Sequence, residues 1–168
     1  MKITHTLVAL ALAAACGQTL ASAPAFKVSP GNLPPLGADR IVGLWHVAVT
    51  LGPCAGGPTH SFIALNTFHA GGTLSSTDNS PPPANGPAQG IWQYLGHGEY
   101  QTHMQFYRFL PDGTYDGLQD IYQDTVVDWR GQTYVTTIDA RVLNTDGSLR
   151  AEVCGTGQGT RVPMDSNP

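Results

Sequence analysis

Residues 133–144, TYVTTIDARVLN, alternate apolar and polar side chains with a period of two. Successive side chains of a β-strand point to opposite faces, so this alternation predicts a strand with one buried face. The face predicted to be buried carries Tyr134, Ile138, Ala140 and Val142. The opposite face carries Val135, Thr137, Asp139 and Arg141.

Seven other segments of β-branched and aromatic residues precede or follow this strand. They are separated by clusters of Gly, Pro, Asn and Asp, and none keeps a helical period. The predicted strands are 41–51, 61–69, 73–78, 90–95, 99–110, 114–129, 133–144 and 148–162. We therefore predict an all-β fold, an antiparallel up-and-down eight-stranded β-barrel with room for side chains and one ligand.

The N-terminal residues resemble a secretory signal. Lys2 precedes an apolar run at 7–15, which is too short to span a bilayer, and small residues follow it. We assign residues 1–25 to a signal peptide, cleaved after Ala21 or Ala25. The mature protein is then exported to the periplasm or the extracellular space, and no transmembrane segment is predicted.

Three cysteines bear on this assignment. Cys54 and Cys154 lie beyond the signal, and in an exported chain we expect them to form a disulfide. Cys16, in the stretch AAACG, supports an alternative in which the chain is a lipoprotein anchored at this residue.

The remaining chain divides into three parts. Residues 26–39 are rich in proline and glycine and are predicted to form an extended leader on the surface. Residues 40–163 are predicted to form the barrel domain, and residues 164–168 are predicted to form a disordered tail. With 8 basic and 12 acidic residues the chain has a net charge of −4, which makes nucleic acid and anionic membranes poor partners.

Gly43, Trp45 and Arg161 carry a resemblance to a known family. A Gly-Leu-Trp motif opens the first predicted strand and an arginine lies near the end of the last one. This arrangement resembles the barrel floor of the lipocalins and the wider calycin group. The resemblance implies an arginine stacked on a buried indole, and a cup for small apolar molecules.

The pairing of the first and last strands can be counted from the two cysteines. If Cys54 lies opposite Cys154, antiparallel counting brings Trp45 opposite residue 163 and diagonal to Arg161. A single register is then compatible with both the disulfide and the contact between Trp45 and Arg161, which favours closure of the barrel by pairing of the first and last strands.

The side chains that line the cup follow from the strand at 133–144. We count back across a two-residue turn at 130–131, a three-residue turn at 111–113 and a two-residue turn at 97–98. The predicted ligand-binding set is Trp92, Tyr94, Gln101, His103, Gln105, Tyr107, Phe109, Gln119 and Gln123. Aromatic rings and neutral amides favour an uncharged, flat or ring-bearing ligand, entering at a rim made by the long loops 52–60 and 79–88. Two alternatives are a barrel packed solid with glutamines, and amides that face solvent.

The same register leaves four apolar residues on the outside: Met104, Phe106, Leu118 and Tyr122. They form a patch suited to a second copy of the chain, which predicts a homodimer. The alternative is a single β-bulge, which would exchange the two faces and place them in the core.

Catalytic motifs are scarce in this sequence. The histidines lack the close spacing of a metal site, no nucleophile motif is present, and neither metal nor cofactor is predicted. Ligand binding is the leading hypothesis. The alternative is a cyclase or isomerase similar in shape to allene oxide cyclases and dirigent proteins, with His103 as base and Tyr107 as acid. A structural envelope protein is the third hypothesis.

Overall fold

A computed structural model of the chain describes residues 37–80 and 84–164. The predicted signal peptide, the lipoprotein alternative at Cys16, most of the predicted leader and residues 165–168 of the predicted tail lie outside the described residues. In the part of the chain that is described, no helix has the length and hydropathy needed to cross a membrane.

The described residues form eight antiparallel strands that close into a barrel, each strand paired with its neighbours in sequence and the last with the first. The strands are β1 Gly43–Pro53, β2 His60–Phe68, β3 Thr73–Asp78, β4 Ala88–Gly96, β5 Glu99–Phe109, β6 Tyr115–Val127, β7 Thr133–Leu143 and β8 Leu149–Arg161. The predicted fold class is confirmed.

A short 3-10 helix, Ala38–Ile41, precedes β1. It begins inside the segment predicted to be an extended leader, and both Ala38 and Ile41 are buried. The first predicted strand therefore starts two residues too early, because Ile41 belongs to a turn that packs into the end of the barrel.

The two ends of the barrel differ. At one end, here called the floor, the 3-10 helix enters beside Trp45; the opposite end, here called the mouth, carries the loops β1–β2, β3–β4, β5–β6 and β7–β8. Because alternate loops of an antiparallel meander share an end, the two long loops lie at the same mouth, as predicted.

The floor is built around Trp45, which has no exposed surface. Its Nε1 donates to the carbonyl of Ile41 at 2.8 Å, and the guanidinium carbon of Arg161 lies 4.3 Å from the centre of its ring. Arg161 also donates to the backbone carbonyls of Val42, Arg40 and Gly131. Arg161, at the end of β8, thus binds the segment that enters the barrel before β1 while it covers the indole, as the resemblance implies.

The predicted register between β1 and β8 is wrong by two residues. Trp45 lies directly opposite Arg161, and Gly52 lies opposite Cys154. Cys54 follows the last residue of β1 and is bonded to Cys154 from a diagonal position, with 4.8 Å between the Cα atoms. The prediction failed because it assumed that the bonded cysteines are direct partners; a shift of two preserves which face each residue occupies.

The predicted orientation of β5 is also wrong. Between β5 and β6 the pairing shifts by one residue, from Phe109 with Tyr115 to Arg108 with Gly117, so that Asp116 is an extra residue. This β-bulge exchanges the two faces of β5, the alternative considered in the sequence analysis. Its inner face carries Tyr100, Thr102, Met104, Phe106 and Arg108.

Gly117 is the residue that permits this bulge. Its φ of +110° is a conformation that favours glycine, and a Cβ there would lie 2.1 Å from the carbonyl oxygen of Leu143. The backbones of β6 and β7 therefore approach each other more closely than any side chain would allow.

Gly117→Ala is expected to lower the free energy of unfolding by roughly 1–3 kcal/mol, because it adds backbone strain and a clash with β7. Gly113→Ala is the matched control, since Gly113 also has a positive φ, of +84°, but open space around it. Urea denaturation followed by tryptophan fluorescence measures both. Equal losses in the two variants would contradict the close approach at Gly117.

The bulge also separates the four residues of the predicted dimer patch onto two faces of the sheet. Met104 is buried in the core and Phe106 packs against it, while Tyr122 is exposed and Leu118 half-buried on the outer surface. The four residues therefore do not share one face, and the homodimer prediction loses the surface on which it was based.

Candidate functional site

A cavity of about 330 Å³ occupies the barrel between the core and the mouth. Most of its wall is aliphatic, with two phenylalanine rings. The apolar lining residues are Val47, Val49, Leu51, Phe62, Ala64, Ala88, Met104, Phe106, Ile121, Ile138, Val142 and Val153. Alternation along each strand supplies this lining, because every second residue points inward. A cavity of this size and polarity is typical of a small-molecule site.

Towards the floor the cavity wall becomes polar. The Ser76 hydroxyl donates to Asn66 Oδ1 at 2.6 Å, and Asn66 Nδ2 donates to the Tyr134 hydroxyl at 3.2 Å. Burial raises the pKa of Tyr134 far above its ordinary value, so this phenol stays neutral. The chain of hydrogen bonds links the cavity to the floor, where Tyr134 packs on Trp45 with 4.9 Å between ring centres.

Gln123 and Thr136 add neutral polar groups to the same wall. Thr102 donates to Gln123 Oε1 at 3.4 Å, and Thr125 donates to Thr136 Oγ1 at 2.9 Å. All four side chains are buried. These groups can orient a neutral polar end of a ligand without introducing charge deep in the barrel.

Charged groups appear in the cavity only at its mouth, within the described residues. Arg108 and Asp78 both line this region, and His60 lies at the rim, stacked on Phe62 with 5.8 Å between ring centres. The Asp78 carboxylate accepts hydrogen bonds from the Ser80 amide at 2.8 Å and from Asn85 Nδ2 at 3.1 Å.

Arg108 is part of a charge cluster at this mouth. Its guanidinium lies 3.5 Å from Asp116, while Arg150 binds the same carboxylate through two hydrogen bonds of 2.8 and 3.0 Å. The hydrogen bonds from Arg150, opposed by partial desolvation, hold the pKa of Asp116 below its ordinary value. Asp116 is therefore ionised and bound mainly to Arg150.

Of the residues predicted to line the site, Gln119 and Gln123 do so. Trp92 and Tyr94 pack against the core, at the floor of the barrel. Trp92 Nε1 donates to the carbonyls of His69 and Thr73 at 3.1 and 3.0 Å, and Tyr94 packs against Tyr100 with 5.0 Å between ring centres. They close the barrel instead of contacting the cavity.

The five predicted lining residues of β5 do not line the cavity. They are Gln101, His103, Gln105, Tyr107 and Phe109, and the bulge at Asp116 is the reason. Gln101 donates to Asp124 on the outer surface, Tyr107 is 61 % exposed, and Phe109 packs at the rim, its ring centre 6.3 Å from that of Tyr115.

His103 belongs to a separate cluster on the outer wall. Its Nε2 lies 2.6 Å from Asp120 Oδ1, which also accepts a hydrogen bond from Gln105 at 2.8 Å, and its ring stacks on Tyr122 with 4.2 Å between centres. Desolvation opposes ionisation of Asp120, but hydrogen bonds with Gln105 and His103 outweigh it, and the pKa of Asp120 is lowered. His103 and Tyr107 therefore do not face a molecule bound inside the barrel.

Sequence reasoning missed Arg108, Asp78, Asn66 and Ser76 as cavity residues. One signal could have found Arg108. At every second position of β5, Met104 and Phe106 share a face with Arg108, and this face is more apolar than the one that carries the glutamines, so it is the better candidate for burial. Asn66 and Ser76 carry no such signal, because polar residues on an inward face cannot be distinguished from solvent-facing ones by periodicity.

Cys54, Asp139 and Cys154 place three potential metal-binding atoms within 4.8 Å of one another. The two sulfurs are bonded to each other. Neither sulfur is a thiolate, the form that binds metal ions, so the oxidised cluster lacks the chemistry of a metal site.

Fold and cavity together define the class: a closed eight-stranded antiparallel barrel with an interior cavity whose wall is mostly apolar. The sequence matches no protein-family model. It also matches no curated protein. Among solved structures, the S-type phycobiliprotein lyase from Guillardia theta is similar, with 8 % sequence identity and a TM-score of 0.42 over 76 % of this chain and 91 % of the lyase.

Proposed function

We propose that this chain is an exported binding protein that holds one small, largely apolar molecule inside its barrel. The observation that carries the proposal is the cavity of about 330 Å³, with aliphatic and aromatic walls and a few neutral polar groups at its base. Burial of apolar ligand surface supplies the affinity, and the hydrogen-bonding groups supply orientation.

Two features support the exported part of the proposal. The disulfide between Cys54 and Cys154 is a bond that persists in oxidising compartments. The sequence of residues 1–25 has the charge and hydropathy of a signal peptide.

The cavity also favours binding over the two alternative hypotheses. The proposed cyclase required His103 and Tyr107 beside the substrate, and both side chains lie on the outer surface. A purely structural barrel would gain stability by filling its interior, because an empty apolar cavity loses packing contacts.

The test is binding of the neutral fluorescent probe N-phenyl-1-naphthylamine to the mature protein. Ala64 is buried and lines the cavity, so Ala64→Leu adds three carbon atoms inside it and is expected to weaken the probe's affinity roughly 10-fold or more. Fluorescence titration gives the dissociation constant, and thermal melting establishes that the variant is folded.

Ala48→Leu is the matched control. Ala48 is exposed on β1, opposite Ile63 of β2. Ala48→Leu therefore adds the same three carbon atoms on the outside of the barrel, on a strand whose inner face lines the cavity. We expect its affinity to equal that of the wild type. Failure of the wild type to bind the probe, or equal effects of the two variants, would contradict a binding site in the cavity.

A further inference from the structure

We propose that the molecule bound in the barrel is an amphipathic carboxylic acid, whose carboxylate is held by Arg108 at the mouth while its apolar body fills the cavity. This inference rests on the proposed function and specifies the class of ligand. It differs from the uncharged ligand predicted from the sequence, because the bulge at Asp116 turns Arg108 inward.

Arg108 is the last inward residue of β5 and lies directly opposite Gly117. Glycine contributes no side chain between the guanidinium and the cavity. The Arg108 side chain is only 28 % exposed, so much of its surface is removed from bulk water. A partly desolvated guanidinium needs hydrogen-bond acceptors to replace the water it has lost.

The acceptors nearest Arg108 are already in use. Among the described residues its charged contact is Asp116 at 3.5 Å, longer than a charge-assisted hydrogen bond. Asp116 directs both carboxylate oxygens to Arg150, and the second nitrogen of Arg150 also binds the Asp116 carbonyl at 3.0 Å. With respect to residues 37–80 and 84–164, Arg108 therefore keeps donors that can bind a ligand.

The charges of this cluster favour one added anion. Arg108 and Arg150 carry two positive charges against the single negative charge of Asp116, and among the described residues Asp78, the other carboxylate at this mouth, forms an ion pair with neither arginine. Asp78, whose carboxylate is bound by Ser80 and Asn85, repels any anion at this mouth, and it repels a doubly charged phosphate monoester about twice as strongly as a singly charged carboxylate.

The backbone around Arg108 is fixed on both sides. The Gly86 amide donates to the carbonyl of Tyr107 at 2.8 Å, and the Phe109 amide donates to the carbonyl of Ala84 at 3.0 Å. Asn85 forms a β-bridge with Arg108 itself. The backbone that carries the guanidinium is thus held in place, so binding of a planar carboxylate has to order the side chain alone.

Below Arg108 the cavity offers only neutral surface. Phe106, the next inward residue of β5, lies opposite Gln119, and aliphatic residues follow towards the base. A ligand with one acidic end and an apolar body matches a cavity with Arg108 at its mouth, aliphatic and aromatic walls in its middle and only neutral polar groups among the described residues at its base.

The test compares geranic acid with geraniol, two molecules with the same carbon skeleton that differ in the head group. Each displaces N-phenyl-1-naphthylamine from the mature protein at neutral pH. We expect the acid to bind about 10-fold or more tightly than the alcohol in the wild type. Arg108→Met is expected to remove this preference, because it weakens the acid far more than the alcohol, whose binding rests on the apolar walls.

Arg141→Met is the matched control, since Arg141 is an exposed cation on the outer face of β7 opposite Asp120. It is expected to keep the preference for the acid. Arg108→Lys, which keeps the charge but not the planar pair of donors, is expected to retain part of the preference. Thermal melting of each variant shows whether it is folded.

Arg150→Met supplies an independent readout. Without Arg150, Asp116 is expected to turn to Arg108 and compete with the ligand, which weakens geranic acid but not geraniol. An unchanged affinity for the acid in this variant would contradict the account of why Arg108 is free.

The outcomes separate this inference from the proposed function. Equal binding of geranic acid and geraniol by the wild type, or equal loss of both in Arg108→Met, would overturn the carboxylate assignment and leave the binding barrel standing. Tighter binding of geranyl phosphate than of geranic acid would overturn the choice of head group. Failure of the probe and of both ligands to bind would overturn the proposed function itself.

Discussion

A Cys54→Ser, Cys154→Ser double variant is expected to lose about 2–5 kcal/mol of unfolding free energy. The disulfide spans a sequence separation of 100 residues and links the end of β1 to β8, the pair of strands that closes the barrel. A cross-link over so long a loop restricts the unfolded chain strongly, and its 4.8 Å between Cα atoms is within the ordinary range. Urea denaturation of the oxidised proteins measures the loss.

Reduction provides the control for this variant. Dithiothreitol is expected to lower the melting temperature of the wild type to that of the double variant, and to leave the double variant unchanged. A wild-type protein whose melting temperature is insensitive to the reductant, while thiol titration shows both cysteines reduced, would contradict a stabilising role for the bond.

Trp45→Ala is expected to cost about 3–5 kcal/mol, the range for truncation of a buried aromatic residue. The substitution removes a fully buried indole, its contact with Tyr134 and the surface on which Arg161 stacks. It also leaves the carbonyl of Ile41 without its donor. Unfolding in urea, followed by far-ultraviolet circular dichroism, measures this cost without relying on tryptophan emission.

Trp129→Ala is the matched control for the floor. Trp129 also has an arginine over its ring, with the Arg130 guanidinium carbon 4.7 Å from the ring centre, but it is 77 % exposed. The same truncation is expected to change stability by less than about 0.5 kcal/mol there. Comparable losses at Trp45 and Trp129 would show that burial at the floor does not stabilise the barrel.

The inward faces of β6 and β7 could be predicted from local sequence. The inward positions counted from Tyr134 and Ile138 place Gln123 and Ile121 inside, and the structure places them there. The turn between these strands is short, and both strands have a clear apolar face. Under those conditions the register of one strand fixes the register of the next.

Counting failed at the next turn, and the candidate site changed with it. One extra residue at Asp116 moved His103 and Tyr107 to the outer wall and brought Met104, Phe106 and Arg108 inside. The glycine that permits the bulge is visible in the sequence, but the contact that requires a glycine at this position is not. Gly117 is required by a carbonyl of Leu143, 26 residues further along the chain.

The sequence by itself determined the strands and their order in a barrel, because period-two alternation and turn residues are local signals, and its cysteines with Trp45 and Arg161 indicated that the first strand pairs with the last. The tertiary structure alone decided the exact register of that pairing, the face of β5 that turns inward and the residues that meet in the cavity. Asn66 contacts Ser76 and Tyr134, and Arg108 approaches an Asp116 already bound by Arg150. Such contacts depend on a bulge and on closure of the sheet, and a one-residue shift reverses every side chain beyond it.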